Sequence, residues 1–212
     1  MGVVRTVNVG ERKQIGIKRG GVPWFSAIDK RPVEGRLAVG DDHVAGDTIV
    51  HTSVHGGPDK AVYAYASEDT TWWETELSRE LWAGAFGENL TLEGVDCTGS
   101  VIGDLLRVGP LLLEVSQPRI PCSALAKHLD DIKMVKRFAL ARRPGIYLRI
   151  VESGDVGAGD SVELVERPEH GVTVGLVNEA VLHDHSLAAR ALEAPQLAES
   201  VAFELRERVA LG

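Results

Sequence analysis

Cysteine is scarce: the 212-residue chain has two, Cys97 and Cys122. Two thiols are too few for a four-thiolate iron–sulfur cluster or an all-cysteine zinc site, so any redox centre must come from elsewhere. They are far apart and are read as free thiols rather than a disulfide. Long apolar runs are also missing. No stretch of about 18 apolar residues occurs, and the opening MGVVRTVNVG lacks the apolar core of a signal peptide. The expectation is a soluble, cytoplasmic protein with no membrane partner. Basic charge is in deficit, with 23 Lys and Arg against 31 Asp and Glu for a formal charge of −8. That field repels phosphate backbones and disfavours generic nucleic-acid binding. No GxGxxG fingerprint is present to hold a dinucleotide.

What is present is the balance of an ordinary folded protein: 44% apolar and 25% charged residues. Gly-Asp pairs at 40–41, 46–47, 103–104, 154–155 and 159–160 read as turns beside short Val/Leu/Ile-rich runs. The period-2 pattern of 145–151 places Ile146, Leu148 and Ile150 on one face and Arg149 on the other. Residues 89–93 alternate similarly, 111–115 read as a strand buried on both faces, and 161–165 add another. A helix is predicted to open at Ser67 as N-cap, to carry Trp73, Leu77 and Leu81 on its apolar stripe, and to end at Gly84. Two more helices are predicted at 123–129 and 132–142. After Pro168 the pattern changes to three small helices, capped by Thr173, capped by Asp184 and begun by Pro195. Such a tail can imitate a DNA-reading unit, but Glu199, Glu204 and Glu207 beside Arg206 and Arg208 favour a docking or dimerisation module.

Polar groups gather at strand ends, where sites are commonly built. In Ser116-Gln117-Pro118-Arg119-Ile120-Pro121-Cys122, two prolines stop a strand and stiffen the loop that aims Cys122. A helix start and a nearby arginine both favour a thiolate, suited to a nucleophile or a soft-metal ligand. A small buried hydrophobe is the competing reading of Cys122. His55-Gly56-Gly57-Pro58-Asp59-Lys60 offers an imidazole, close backbone approach and a cation, either an anion cradle or a solvated turn. His51 and His55 have i,i+4 spacing without the intervening Glu or the helix that a zinc site of that kind needs. Phe86-Gly87-Glu88-Asn89-Leu90 is another loop-to-strand junction, with Asn89 able to make specific hydrogen bonds.

Taken in order, HGGPDKAVYAY (55–65), GAFGENL (84–90), IGD (102–104), LEVSQPRIPC (113–122), GIYLRI (145–150) and GDVGAGD (154–160) resemble the MOSC domain family, and within it YiiM-type proteins. The resemblance covers nearly the whole chain and is most specific at SQPRxPC after FGENL. It implies a mostly β fold with some α: a MOSC-type β-barrel with flanking helices over 1–167 and a small C-terminal three-helix domain over 168–212. It places the chain beside the C-terminal domain of molybdenum cofactor sulfurases and the amidoxime-reducing enzymes. It implies molybdenum cofactor, with Cys122 as the protein ligand to the metal, and it carries pyridoxal phosphate binding as a further association. Arg119 would then lie near oxo or phosphate oxygens, His55 would assist proton delivery, and Lys60, Asn89 and Arg149 would help hold the pterin or phosphate. Many relatives have an acidic residue at His51 and a histidine at Val54, which puts His51 in doubt.

The implied activity is reduction of N-hydroxylated compounds, such as hydroxylaminopurines or amidoximes, to amines. The cysteine count and missing dinucleotide fingerprint then call for a separate flavin- or iron–sulfur-containing reductase. The alternative is a carrier of molybdopterin, or of persulfide sulfur on Cys122, without turnover. A homodimer is left open.

Overall fold

A computed structural model describes residues 2–40, 42–50 and 56–211. The chain runs through β1 (Gly2–Gly10), β2 (Lys13–Ile17), β3 (Pro23–Ser26), β4 (Lys30–Val33), β5 (Arg36–Gly40) and β6 (His43–Val44). A 3-10 turn at Pro58–Lys60 leads into β7 (Val62–Ala66), α1 (Ser67–Leu77), β8 (Leu90–Glu93), β9 (Leu105–Val108) and β10 (Leu111–Pro118). There follow α2 (Ser123–His128), α3 (Met134–Ala141), β11 (Ile146–Glu152), β12 (Gly154–Gly157) and β13 (Ser161–Glu166). The last elements are α4 (Val174–Leu182), a 3-10 turn at His185–Leu187, α5 (Ala188–Ala191) and α6 (Glu199–Leu211).

Seven strands close a barrel in the order β13-β9-β10-β11-β7-β8-β1, sealed where Gly2 and Val3 of β1 pair with Val162 and Ser161 of β13. Closure removes the unpaired edges that an open sheet would present. The nine-residue β1 is long enough to pair with β8 and also, at its far end, with the flanking β4. Every ladder in the ring is antiparallel except β7–β8, and α1 is the crossover that a parallel pair requires. Two small sheets, β12-β5-β6 and the β2–β3 hairpin, lie outside the ring.

The alternating strand at 145–151 forms as expected, with Ile146 and Leu148 fully buried in β11. β10 is buried almost throughout and continues to Pro118, three residues past the predicted apolar run. The first helix departs from expectation at both ends. Ala66 is its N-cap, and it stops at Leu77 because Ser78 turns left-handed at φ 51°. The Glu74 carboxylate then accepts the Leu81 amide, so Leu81 leaves the helix yet still packs beside Trp73. Gly84 is not that cap. At φ +90°, it allows the chain to approach the Lys30 backbone so closely that a Cβ would lie 2.6 Å from the Lys30 carbonyl oxygen. Gly154-Asp155, read as a turn, lies inside β12.

In the tail, Thr173 accepts the Leu176 amide and Asp184 accepts the Ser186 amide, as their cap roles require. The third helix begins at Glu199 rather than Pro195, because residues 195–198 form turns and the Ala198 amide donates to Ser116. Val174, Val177, Val181, Leu197 and Leu205 join Leu113, Val115 and Val162 of the barrel in one continuous apolar core. A second cluster outside the barrel wall packs Tyr63, Tyr65, Trp73, Phe86 and Phe138 against Leu125, Leu129 and Met134. Among the described residues, no helix is long and apolar enough to cross a membrane.

Candidate functional site

The register of the ladders brings several strand ends together. Asn8 and Asn89 are linked backbone to backbone at the β1–β8 junction, Asn89 donates its amide to the Tyr63 carbonyl, and Pro118 pairs with Ile146 beside Tyr147. At this end of the barrel lies an open cavity, a concave cleft of the kind that holds small molecules and cofactors. Arg119, Cys122 and Ala124 line it from the β10–α2 connection; Lys60, Ala61 and Tyr63 from the entry to β7; Gly87 and Asn89 from the entry to β8. Tyr147, Trp24, Lys30 and Asp47 complete much of the wall.

Cys122 stands at the N-cap of α2 in an extended conformation, is partly exposed and lines the cavity rather than the core. Arg119, three residues earlier, is 5% exposed. Its guanidinium carbon lies 5.4 Å from the ring centres of both Tyr63 and Phe138. The buried Nη1 of Arg119 has no hydrogen-bond partner among the described residues. A buried charged donor left unpaired is costly, and it marks a place where an acceptor from outside the chain would be welcome. Burial raises the pKa of the Tyr147 phenol, with the neighbouring Arg119 charge opposing that rise.

Asn89 is at the cavity but committed to the fold. Its Oδ1 accepts the Tyr63 amide at 3.2 Å and its Nδ2 donates to Asp47 at 2.9 Å. Asp47 also accepts the Gly10 amide at 2.8 Å and pairs with the buried Lys30 ammonium. In this network Asn89 carries a sequence signal, whereas Lys30 and Asp47 carry none as site residues. The three members come from separate segments with no spacing rule, and for Asp47 the turn at Gly46-Asp47 was the only local hint. Lys60 lines the cavity, and burial pulls its ammonium pKa down against the attraction of Asp59. Glu88, next to Asn89, points into the wall and accepts the Gly84 and Phe86 amides and the Thr91 hydroxyl.

Arg149 is not in the cavity. It pairs with Asp59 and Glu114 and donates to the Gln196 carbonyl at 2.8 Å, tying barrel to tail. Period-2 alternation correctly turned it outward, but the partners that occupy it lie far away in sequence. His55 and His51 lie outside the described residues. Cys97 is buried in the core, where burial pushes its thiol pKa well up, and the two cysteines are free. Among the described residues, no cluster of three or more His, Cys, Asp or Glu could hold a metal ion; Cys122 is the thiol that lines the cavity.

A family model, the MOSC domain, matches residues 51–163, more than half of the chain, including Lys60, Tyr63, Asn89, Arg119, Cys122 and Tyr147 of the cavity wall. The chain belongs to the MOSC domain family. A MOSC relative from Bacillus subtilis (strain 168), the uncharacterized protein YflK, is 39% identical over 159 residues, spanning 75% of this chain and 72% of that protein. Protein YiiM of Escherichia coli (strain K12) is 37% identical over 145 residues, 67% of this chain and 65% of that protein. A protein named reductase from Gibberella moniliformis is 34% identical over 79% of this chain, which spans only 30% of its length. The crystal structure of YiiM from Geobacillus stearothermophilus matches with a TM-score of 0.81 at 30% identity, covering 98% of this chain and 99% of that one. The MOSC barrel and helical tail described above are therefore an arrangement already seen in crystals of YiiM.

Proposed function

We propose that the cavity holds molybdenum cofactor and that the protein reduces N-hydroxylated compounds, such as hydroxylaminopurines and amidoximes, to amines with electrons from a separate flavin- or iron–sulfur-containing reductase. One observation carries this reading: the buried Arg119 guanidinium, with its unpartnered Nη1, lines the same cavity as the partly exposed Cys122. MOSC membership and the relative named reductase support it.

The donor set fits the group. A thiolate suits the soft coordination sphere of a metal held by a dithiolene, and a guanidinium suits oxo or phosphate oxygens. When bound, the cofactor supplies a two-electron centre able to accept oxygen. The chain supplies the surroundings. Cys122 would hold the metal through its sulfur. Arg119, 5.4 Å from the ring centres of Tyr63 and Phe138, would present planar N–H donors that lysine could not reproduce. Lys60 adds positive charge to the wall, while Asp47 and Asn89 fix the strand ends that shape it. Tyr63 and Tyr147 present ring surface to the cavity. Overall, R–NH–OH takes up two electrons and two protons and yields R–NH2 and water.

The test is turnover of protein reconstituted with molybdenum cofactor, using reduced methyl viologen and 6-hydroxylaminopurine. Amine formation that disappears in Cys122→Ser is expected. Cofactor retained without any amine would overturn the reductase reading in favour of a carrier of cofactor or sulfur.

A further inference from the structure

The β2–β3 hairpin differs from the rest of the molecule in charge. Residues 11–31, the hairpin with its flanks and the start of β4, hold six basic residues and two acidic ones in a chain of net charge −8. Some of these charges are used locally: Lys13 and Arg31 pair with Asp29, and Lys30 pairs with Asp47. Arg12, Lys18 and Arg19 are exposed, as is Lys127, whose side chain lies against Gly16 from α2. None of these four has a carboxylate partner among the described residues. Ile17 and Val22 flank the tip and are 69% and 57% exposed.

The hairpin also reaches the site. Lys18 lies 5.9 Å from the ring centre of Trp24, and Trp24 lines the cavity that holds Cys122. The hairpin contributes no ladder pairing to the barrel, so its cationic, apolar-tipped surface is not needed to close the fold. Exposed apolar groups ringed by unpaired charge of one sign mark an interaction surface rather than a folding element.

We infer that this hairpin is the docking surface for an acidic face of the protein that delivers electrons to the cavity; the inference rests on the redox reading above. Elsewhere the negative field of the chain repels an acidic partner, so the basic hairpin steers approach to one side of the cavity. Ile17 and Val22 then supply a short-range apolar contact of the small kind that transient redox complexes use. Each catalytic cycle needs two electrons from the reduced flavin or iron–sulfur protein and two protons from water, and the donor leaves oxidised.

The experiment uses the full-length reconstituted protein, the double variant Lys18→Glu/Arg19→Glu, and an acidic flavodoxin as probe. Binding of oxidised flavodoxin is measured against salt, and turnover is compared with reduced flavodoxin and with reduced methyl viologen. Wild-type binding is expected to weaken as salt rises, and the double variant to bind about ten-fold more weakly at low salt. Flavodoxin-driven turnover falls with it, while viologen-driven kcat and KM stay unchanged. Ile17→Ser/Val22→Ser should weaken binding at low and high salt alike. Because flavodoxin binding needs no turnover, its result stands even if the reductase reading fails. Flavodoxin binding that is absent, insensitive to salt or unchanged in the charge variant would overturn the inference. A rise in viologen-assay KM would also overturn it, by assigning the charges to substrate.

Discussion

Replacing Arg119 with methionine separates a ligand-binding role from a structural one. The guanidinium is almost fully buried, and its Nη1 makes no hydrogen bond among the described residues. Removing a buried, unpaired donor relieves about 1–3 kcal/mol. The same change forfeits the cation–π contacts to Tyr63 and Phe138 and the side-chain interaction with Tyr147, together worth about 1–3 kcal/mol. Methionine keeps an unbranched apolar stem in the same space. The two effects nearly cancel, so cofactor-free Arg119→Met should match wild type to within about 1 kcal/mol, or about 0.5 M in a urea midpoint at an m-value near 2 kcal/mol/M. The variant should nevertheless fail to retain cofactor. Paired urea titrations and cofactor analysis of both proteins make the comparison. A loss of about 3 kcal/mol or more in the cofactor-free protein would refute the reasoning, because it would show that the arginine serves the fold.

Arg149→Met breaks the clamp to Asp59, Glu114 and the Gln196 carbonyl. It should cost about 2 kcal/mol, less than a fully buried pair because Arg149 is partly exposed, and limited proteolysis should cut the tail sooner. Burial lowers the His128 pKa from its ordinary value of 6.5, with Asp29 opposing. Below that value the unfolded chain takes up a proton that the folded one refuses, so stability is complete above about pH 6.5 and falls as pH drops toward the folded value. His128→Phe should remove this slope, at most about 1.4 kcal/mol per pH unit, when urea unfolding at pH 7.5 and 5.5 is compared with wild type. Trp73 is 1% exposed and donates to the Tyr65 hydroxyl at 2.9 Å; Trp73→Ala should cost about 3–5 kcal/mol in the same assay.

Much of the barrel was legible because its strands carry local signals. Alternation marked β11, and an unbroken apolar run marked β10. β4 gave no such signal: Lys30-Arg31-Pro32-Val33 holds two charges and a proline, and forms a strand only because β1 runs on past its short pairing with β13 and offers that edge. The end of α1 was misread because a serine, not a glycine, adopts the left-handed cap. At the site, Arg119 and Cys122 stood out because they are close in sequence and bracketed by prolines. Lys30 and Asp47 did not, since they meet only after β1, β4 and β8 assemble. The basic hairpin is hidden in a composition of net negative charge, and its closeness to the cavity depends on Trp24 lining the wall.

The most direct measurement is molybdenum and pterin content after reconstitution and gel filtration, wild type beside Cys122→Ser. The account predicts one molybdenum per chain in the wild type and a large loss of metal in a variant that unfolds at the same urea concentration. Equal metal content in the two proteins, or none in the wild type, would contradict it.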